Sequence, residues 1–478
     1  MSDPVRELYS EHRYPALSHA EAHPAALCAS ARCAGVVSPA LPESCRLLEI
    51  GCASGHHLLP LAATYPDSQF VGIDFSDTAI RTAKRIAAEV GLKNVTFEHA
   101  DLREWDPGEE KFDYVIAHGM LSWVPDPAKE ALLDLIAKSL TPDGIACLSY
   151  NTLPGWSLRQ EAAAMVKALP ALVPDGDLDA LLKKLASTTS LSPTPHARDL
   201  AAIFEDMRRK GPEILRFDEL APINDPLHFS QVINWAGQKK LRYLSESSLP
   251  ENLPPDLAPE TLTHIQSIAN DPVLLQQTLD MLSGRTHRSS IFCLADCNID
   301  LATTASVVLH FSARLLEPSL PREAITGELV EIFHASLTAA SPSVRSVRDI
   351  MEECAKRLGN RWDPARASKE IAGWIYQAAR LGWVELRADE TPIEPVPPER
   401  PTLSPLNQSF ARAGLPLVDA FHQSCHFPNE HQAVVAALDG SRSRAELESF
   451  AKEVAPELHF EPWLVHLSSR GLFPKNQT

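Results

Sequence analysis

The residues best suited to chemistry fall between Glu49 and Trp156. The densest group is Leu48-Glu49-Ile50-Gly51-Cys52-Ala53-Ser54-Gly55, which follows an apolar run and precedes a helical one. Small residues at 51, 53 and 55 let a ligand approach the backbone where a larger side chain would block it. Such strand-to-helix turns also serve dinucleotides, so the turn alone does not choose its ligand. A dinucleotide fingerprint wants a third small residue at position 56, and His56 stands there. Asp74 ends the next apolar run, where a carboxylate can accept both hydroxyls of a ribose. Asp101 follows the third run, where a carboxylate can accept from an adenine amino group. Phe75 and Leu102, beside these acids, would border the same ligand. A glycine turn, a ribose acid and an adenine acid in that order fit S-adenosylmethionine (SAM) better than NAD. The plainer readings are a tight turn at Gly51 and Gly55, a helix cap at Asp74 and a solvent-facing acid at Asp101.

A second group follows: His118, Gly119 and Trp123, then Tyr150, Asn151 and Trp156. His118 has three readings: a base, a hydrogen-bond donor to the cofactor, or a satisfied loop histidine. Tyr150, Asn151 and Trp156 are the candidate catalytic residues, with the first two able to orient an acceptor amine. Trp156 is either part of an aromatic cage or core. The alternative is that Tyr150–Trp156 only shapes a turn. Cofactor contacts are expected from Glu49, Gly51, Cys52, Ala53, Gly55, Asp74, Phe75, Asp101, Leu102, His118, Gly119 and Trp123.

These positions need a parallel sheet beneath them. Strands are expected at 46–50, 70–73, 95–98, 114–117 and 145–149, alternating with helices at 58 onward, 79–90 and 128–140. That alternation means βαβ units, an α/β doubly wound sheet and ligands at the carboxyl ends of its strands. Late strands at 241–244 and 290–294 would bring the sheet to seven. Residues 157–230 between them read as a helical insertion, a cap on the site or a dimerisation element. The expected division is a cofactor domain at 1–300, a winged-helix-like domain at 301–390, a proline-rich linker at 391–404 and a small unit at 405–478.

Several strings resemble one family, the class I SAM-dependent methyltransferases with a methyltransferase regulatory domain. They are Glu49-Ile50-Gly51-Cys52-Ala53, Val71-Gly72-Ile73-Asp74, Phe112–Gly119, Ser122-Trp123-Val124-Pro125 and Ser149–Trp156. Asn224-Asp225-Pro226 followed by Phe229 resembles the regulatory-domain signature. The resemblance implies a Rossmann-like fold, SAM as cofactor and, from the bacterial members that modify surface proteins, a protein lysine as acceptor. Alternatives are a small molecule or peptide natural product as acceptor, or a scaffold that binds SAM without catalysis. The chain departs from the family pattern at Ser10 and Arg13, between Tyr9 and Tyr14, and at His56-His57, where Gly-Asn is usual. Tyr9 and Tyr14 belong either to a lid or to a disordered tail.

Composition narrows the rest. The chain has 478 residues and a net charge of -18, which disfavours broad binding to nucleic acid or anionic lipid. Residues 345–387 carry nine basic and six acidic side chains, too small an excess to argue for DNA. The nine cysteines show neither a metal-ligand spacing nor a disulfide framework, so no metal is expected and a reducing, cytoplasmic location is. Met1-Ser2-Asp3-Pro4 does not begin a signal peptide, and no apolar run is long enough to span a membrane. The expected partners are a protein substrate and a second copy of the chain.

Overall fold

The computed structural model describes residues 4–173, 177–253, 257–269, 271–302, 306–317 and 320–474. Met1–Asp3, read above for a leader, lie outside the described residues. The central element is a seven-stranded sheet made of β1 (Arg46–Ile50), β2 (Gln69–Asp74), β3 (Val95–His99), β4 (Phe112–Ala117), β5 (Leu140–Asn151), β6 (Leu241–Glu246) and β7 (His287–Leu294). Their order across the sheet is β3-β2-β1-β4-β5-β7-β6. The first five are parallel, and β7 runs antiparallel between β5 and β6. The sheet is therefore mixed, and its all-parallel part ends at β5. The order reverses between β1 and β4, and such a switch point opens a crevice at the strands' carboxyl ends.

The sequence explains the elements. Apart from Arg46, Glu49 and Asp113, β1 and β4 carry apolar, buried side chains on both faces, as strands covered by helices on each side must. Ahead of them lie α1 (Pro4–Glu11) and α2 (Pro24–Cys33); α3 (Leu58–Thr64), α4 (Asp77–Val90) and α5 (Asp126–Ser139) flank the sheet. Ser76 caps α4 by accepting from Ala79 N, and Gly91 ends it in the left-handed conformation. Asn94 is buried and donates to the carbonyls of Ala62, Tyr65 and Ser68.

Between β5 and β6 come α6 (Ser157–Ala168), α7 (Leu178–Thr189), α8 (Pro195–Phe217) and α9 (Phe229–Gln238). The first three enclose a core of their own around Phe204, Met207 and Leu215. The sequence suggests helices at 158–169, 178–185, 200–209 and 229–239 here. α8 extends on both sides of the third and breaks at Gly211-Pro212, where Gly211 takes a positive φ of 79°. α10 (Pro259–Ile268) and α11 (Pro272–Ser283) precede β7. Here Arg288 is fully buried and donates to both oxygens of Asp280, at 2.9 and 2.7 Å, and to Glu246, tying β7 to β6 and α11.

Behind the sheet, Ser312–Leu315, Arg345–Ser346 and Val384–Arg387 form a small antiparallel sheet beside helices at Glu328–Ala340, Val347–Leu358 and Pro364–Arg380. Trp374, Tyr376 and Trp383 are half-buried against that core. The run at 391–404 is pinned to the body: Ile393 N donates to Ser343 Oγ at 2.8 Å, and Leu403 N to Leu438 O at 2.9 Å. All nine cysteines are buried and free. Among the described residues no helix is long and apolar enough to cross a membrane.

Candidate functional site

The turn after β1 is shaped by three positive φ angles, at Gly51 (81°), Ala53 (45°) and Gly55 (73°). Gly51 N and Cys52 N both donate to Ile73 O at the end of β2, at 2.8 and 3.0 Å. Asp74 then joins the two strand ends, accepting from Ala53 N at 2.9 Å and Ser76 N at 2.8 Å. Each carboxylate oxygen holds one backbone N–H, with a lone pair left on each. Burial raises the Asp74 carboxyl, against those hydrogen bonds. Gly51 is needed for its φ of 81°, which L side chains rarely adopt, and a Cβ there would also displace the Met120 side chain, whose Sδ would lie at 2.4 Å.

Three adjoining cavities meet over this turn. One, of about 90 Å3, lies between Ile50, Gly51, Asp74, Phe75, Asp101, Leu102, Trp123 and Pro125. A second, of about 50 Å3, has Glu49, Gly51, Cys52, Ala53, Phe75, His118 and Gly119 in its wall. The third, of about 330 Å3, opens beyond His118 and Gly119 and is walled by Trp123, Ser149, Asn151, Trp156 and Phe217. Eleven of the twelve expected cofactor positions thus border this group of cavities.

Two expected positions do not reach it. Gly55 packs against β3: a Cβ there would meet the Phe97 ring at 2.6 Å. Tyr150 points to the opposite face of β5, fully buried with its hydroxyl 3.2 Å from Ser290 Oγ. Side chains alternate along a strand, so Ser149 and Asn151 face the cavity and Tyr150 cannot. Among the three candidate catalytic residues, Asn151 and Trp156 remain at the site. Asn151 Nδ2 donates to Asn224 Oδ1 at 3.2 Å, which fixes the amide. Asn224 and Asp225 thus buttress the site: Asp225 N donates to Ser122 O, and Ser122 Oγ accepts from Asn151 N.

Tyr9 on α1 and Tyr14 lie across the mouth. Tyr9 packs on Phe75, with ring centroids 5.1 Å apart, and both tyrosines pack on Phe217 of α8, at 5.0 and 5.2 Å. Burial pushes the Tyr14 hydroxyl up to about 12, so it stays protonated. Arg159 and Lys210 sit over the Trp156 ring, 5.5 and 5.8 Å from its centroid. Asp101 is held by Arg103, whose Nε donates to Oδ1 at 2.9 Å. Glu49 is buried, and burial first, then Asp74, pushes its carboxyl up to about 8. Among the described residues its Oε2 has no hydrogen-bond partner. An orphaned acceptor beside a cradle that admits no Cβ fits a ligand carrying a donor, as the amino group of SAM does.

Residues that the motifs did not point to complete the wall. His118 Nε2 meets Glu21 Oε1 at 3.0 Å, and the His19 ring stacks on His118 with centroids 3.4 Å apart. His19, Glu21 and His118 place one donor atom each within 4.8 Å of one another. The two rings lie 19° from parallel, so their in-plane lone pairs do not converge on a common cation. His287 of β7 and Asp218 also border the large cavity. No local signal marks Glu21, which sits nearly a hundred residues before its partner.

Residues 41–192 match the model of a methyltransferase domain, and residues 211–294 that of a "predicted methyltransferase regulatory domain". Two uncharacterised Rickettsia prowazekii proteins are similar. RP789 is 31% identical over 61% of this chain and 53% of its own length, and RP028 is 31% identical over 49% of this chain and 96% of its own. The match thus spans about half of the first relative. The structure of PKMT2 from Rickettsia typhi in complex with AdoHcy has the same fold, with a TM-score of 0.78 at 22% identity, over 92% of this chain and 91% of that one.

Proposed function

The chain belongs to the SAM-dependent methyltransferases that carry a methyltransferase regulatory domain, and from that premise we propose that it methylates lysine side-chain amines of a protein. Its cofactor is SAM. The carrying observation is the large cavity beyond the glycine turn, where Tyr14, Trp123, Trp156 and Phe217 surround the fixed amide of Asn151.

In this reading Asp74 holds the ribose hydroxyls. Asp101 and Leu102 border the adenine, and Glu49 with the Gly51–Ala53 backbone receives the amino-acid end. When bound, SAM supplies an activated methyl group for in-line displacement, so the protein's task is positioning and exclusion of water. The acceptor must present a neutral lone pair. A lysine with a pKa near 10.4 costs about 4–5 kcal/mol to present as the free amine at pH 7. A buried, ring-lined channel lowers that cost, because burial disfavours the ammonium. The same rings attract the cationic methylated product. Asn151 can orient the amine, and the Tyr9–Tyr14 strap excludes water.

The test has two parts. Calorimetry with wild type and Asp74→Ala measures SAM binding. Asp74 would lose two charge-assisted hydrogen bonds to ribose, so the variant is expected to bind at least about a hundredfold more weakly. Labelled SAM incubated with a cell extract then reports the acceptor. Label on lysine of a discrete protein band supports the proposal. Label confined to small molecules moves the acceptor to that class, and binding without transfer leaves a scaffold.

A further inference from the structure

We propose that Glu21 and His118 act as a positioned base that takes the proton leaving the acceptor amine. The inference rests on the amine reading above and adds the group that makes the amine neutral. His118 stands at the boundary of the large cavity and the glycine-turn cavity, where acceptor and methyl donor would meet. Its Nε2 is committed to Glu21 Oε1 at 3.0 Å. That bond fixes the tautomer with hydrogen on Nε2 and leaves Nδ1 as the basic nitrogen. Among the described residues Nδ1 has no hydrogen-bond partner. A carboxylate that orients an imidazole and stabilises its cation is the logic of the hydrolytic triads.

The surroundings favour Glu21 as a carboxylate. Burial is the largest single influence and would raise it, but the His118 hydrogen bond and the neighbouring His118 and His19 rings together outweigh burial and hold it well below the usual carboxylate range. The groups facing His118 are Glu21, His19, His287 and His57. Burial keeps His19 and His57 neutral and pushes His287 down to about 4, so none competes for the proton near pH 7. Behind the pair lies another cavity, of about 330 Å3, bordered by Glu21, Glu251, His287 and Ser289.

The step balances. The ammonium proton passes to His118 Nδ1, leaving a lone pair on the amine. The nitrogen–methyl bond forms as the sulfur–methyl bond breaks, with its electron pair kept by sulfur. The imidazolium then releases its Nδ1 proton to water in the large cavity, which restores the tautomer with hydrogen on Nε2 alone. Glu21 is the positioning residue and His118 the catalytic one.

Two measurements on the full chain test this. The first is 15N NMR of histidine-labelled protein, with His118→Gln assigning the signal. The expected result is hydrogen on Nε2 at pH 8, disturbed by Glu21→Gln. Hydrogen on Nδ1, or a ring charged up to pH 9, overturns the proposal whatever the acceptor is. The second is label transfer from saturating SAM to extract proteins across pH 6–9. His118→Gln should lower the rate about a hundredfold and abolish the fall on the acid side, as loss of a general base does. Glu21→Gln should lower it roughly tenfold or more. A His118→Gln enzyme with the wild-type rate and pH profile overturns the base while leaving the lysine reading intact. Label on a group other than lysine, with the His118 dependence retained, does the reverse.

Discussion

Lowering the pH from 7 to 5 is expected to release the C-terminal unit from the cofactor domain. The contact between them is built from uncharged imidazoles. His422 Nε2 meets His57 Nδ1 at 2.8 Å, which also accepts the backbone N–H of His19 at 3.3 Å. His56 lies 4.3 Å from the ring of Phe410, and His23 lies 5.2 Å from His422 and close to Arg387. Burial is the leading cause that lowers all four rings, His56 to about 3; Arg387 adds to the effect on His23 and His422. The folded values lie below the unfolded value near 6.5, so stability is complete above pH 6.5 and is lost as the pH falls. Each ring kept neutral costs about 2 kcal/mol between pH 7 and 5. Four rings together reach about 8 kcal/mol, comparable to the whole stability of a domain. Hydrogen exchange of residues 405–474 between pH 7.5 and 5 measures the release. His422→Asn removes one ring, and asparagine tolerates the φ of 63° at that position. Its transition should fall at lower pH. Equal protection at both pH values in the wild type, or an unshifted transition in the variant, refutes the reasoning.

Two further substitutions test the frame. Gly155→Ala places a methyl 2.1 Å from Arg285 O, a backbone atom that cannot turn aside, and should cost about 3 kcal/mol in denaturant unfolding. Arg288→Met leaves Glu246 buried without its cation and Asp280 with Arg285 alone, at 3.4 Å, and should cost about 3–5 kcal/mol, with the loss easing at acid pH as the acids take up protons.

The sheet was legible because its signals are local. An apolar run, a glycine turn and an acid at a strand end each lie within a few residues, and Gly51, Asp74 and Asp101 border the cavity where that pattern puts them. What failed was parity and distance. Tyr150 and Asn151 are neighbours in sequence, but a strand sends them to opposite faces, and no motif says which faces the site. The Glu21–His118 bond and the His57–His422 bond join residues far apart in the chain. The pair His56-His57 is visible as a departure from the family pattern, but its partners Phe410 and His422 are not.

The His57–His422 bond also bears on how the protein is made. Its two ends are separated by 365 residues. At about 5–20 residues per second, a ribosome takes roughly 20–70 s to travel from one to the other. Throughout that interval the nascent sheet carries a glycine turn whose wall is incomplete, with two imidazoles facing water. Chaperone capture, early cofactor binding or a pause in translation would each act on this half-finished pocket, before its final partner has left the ribosome.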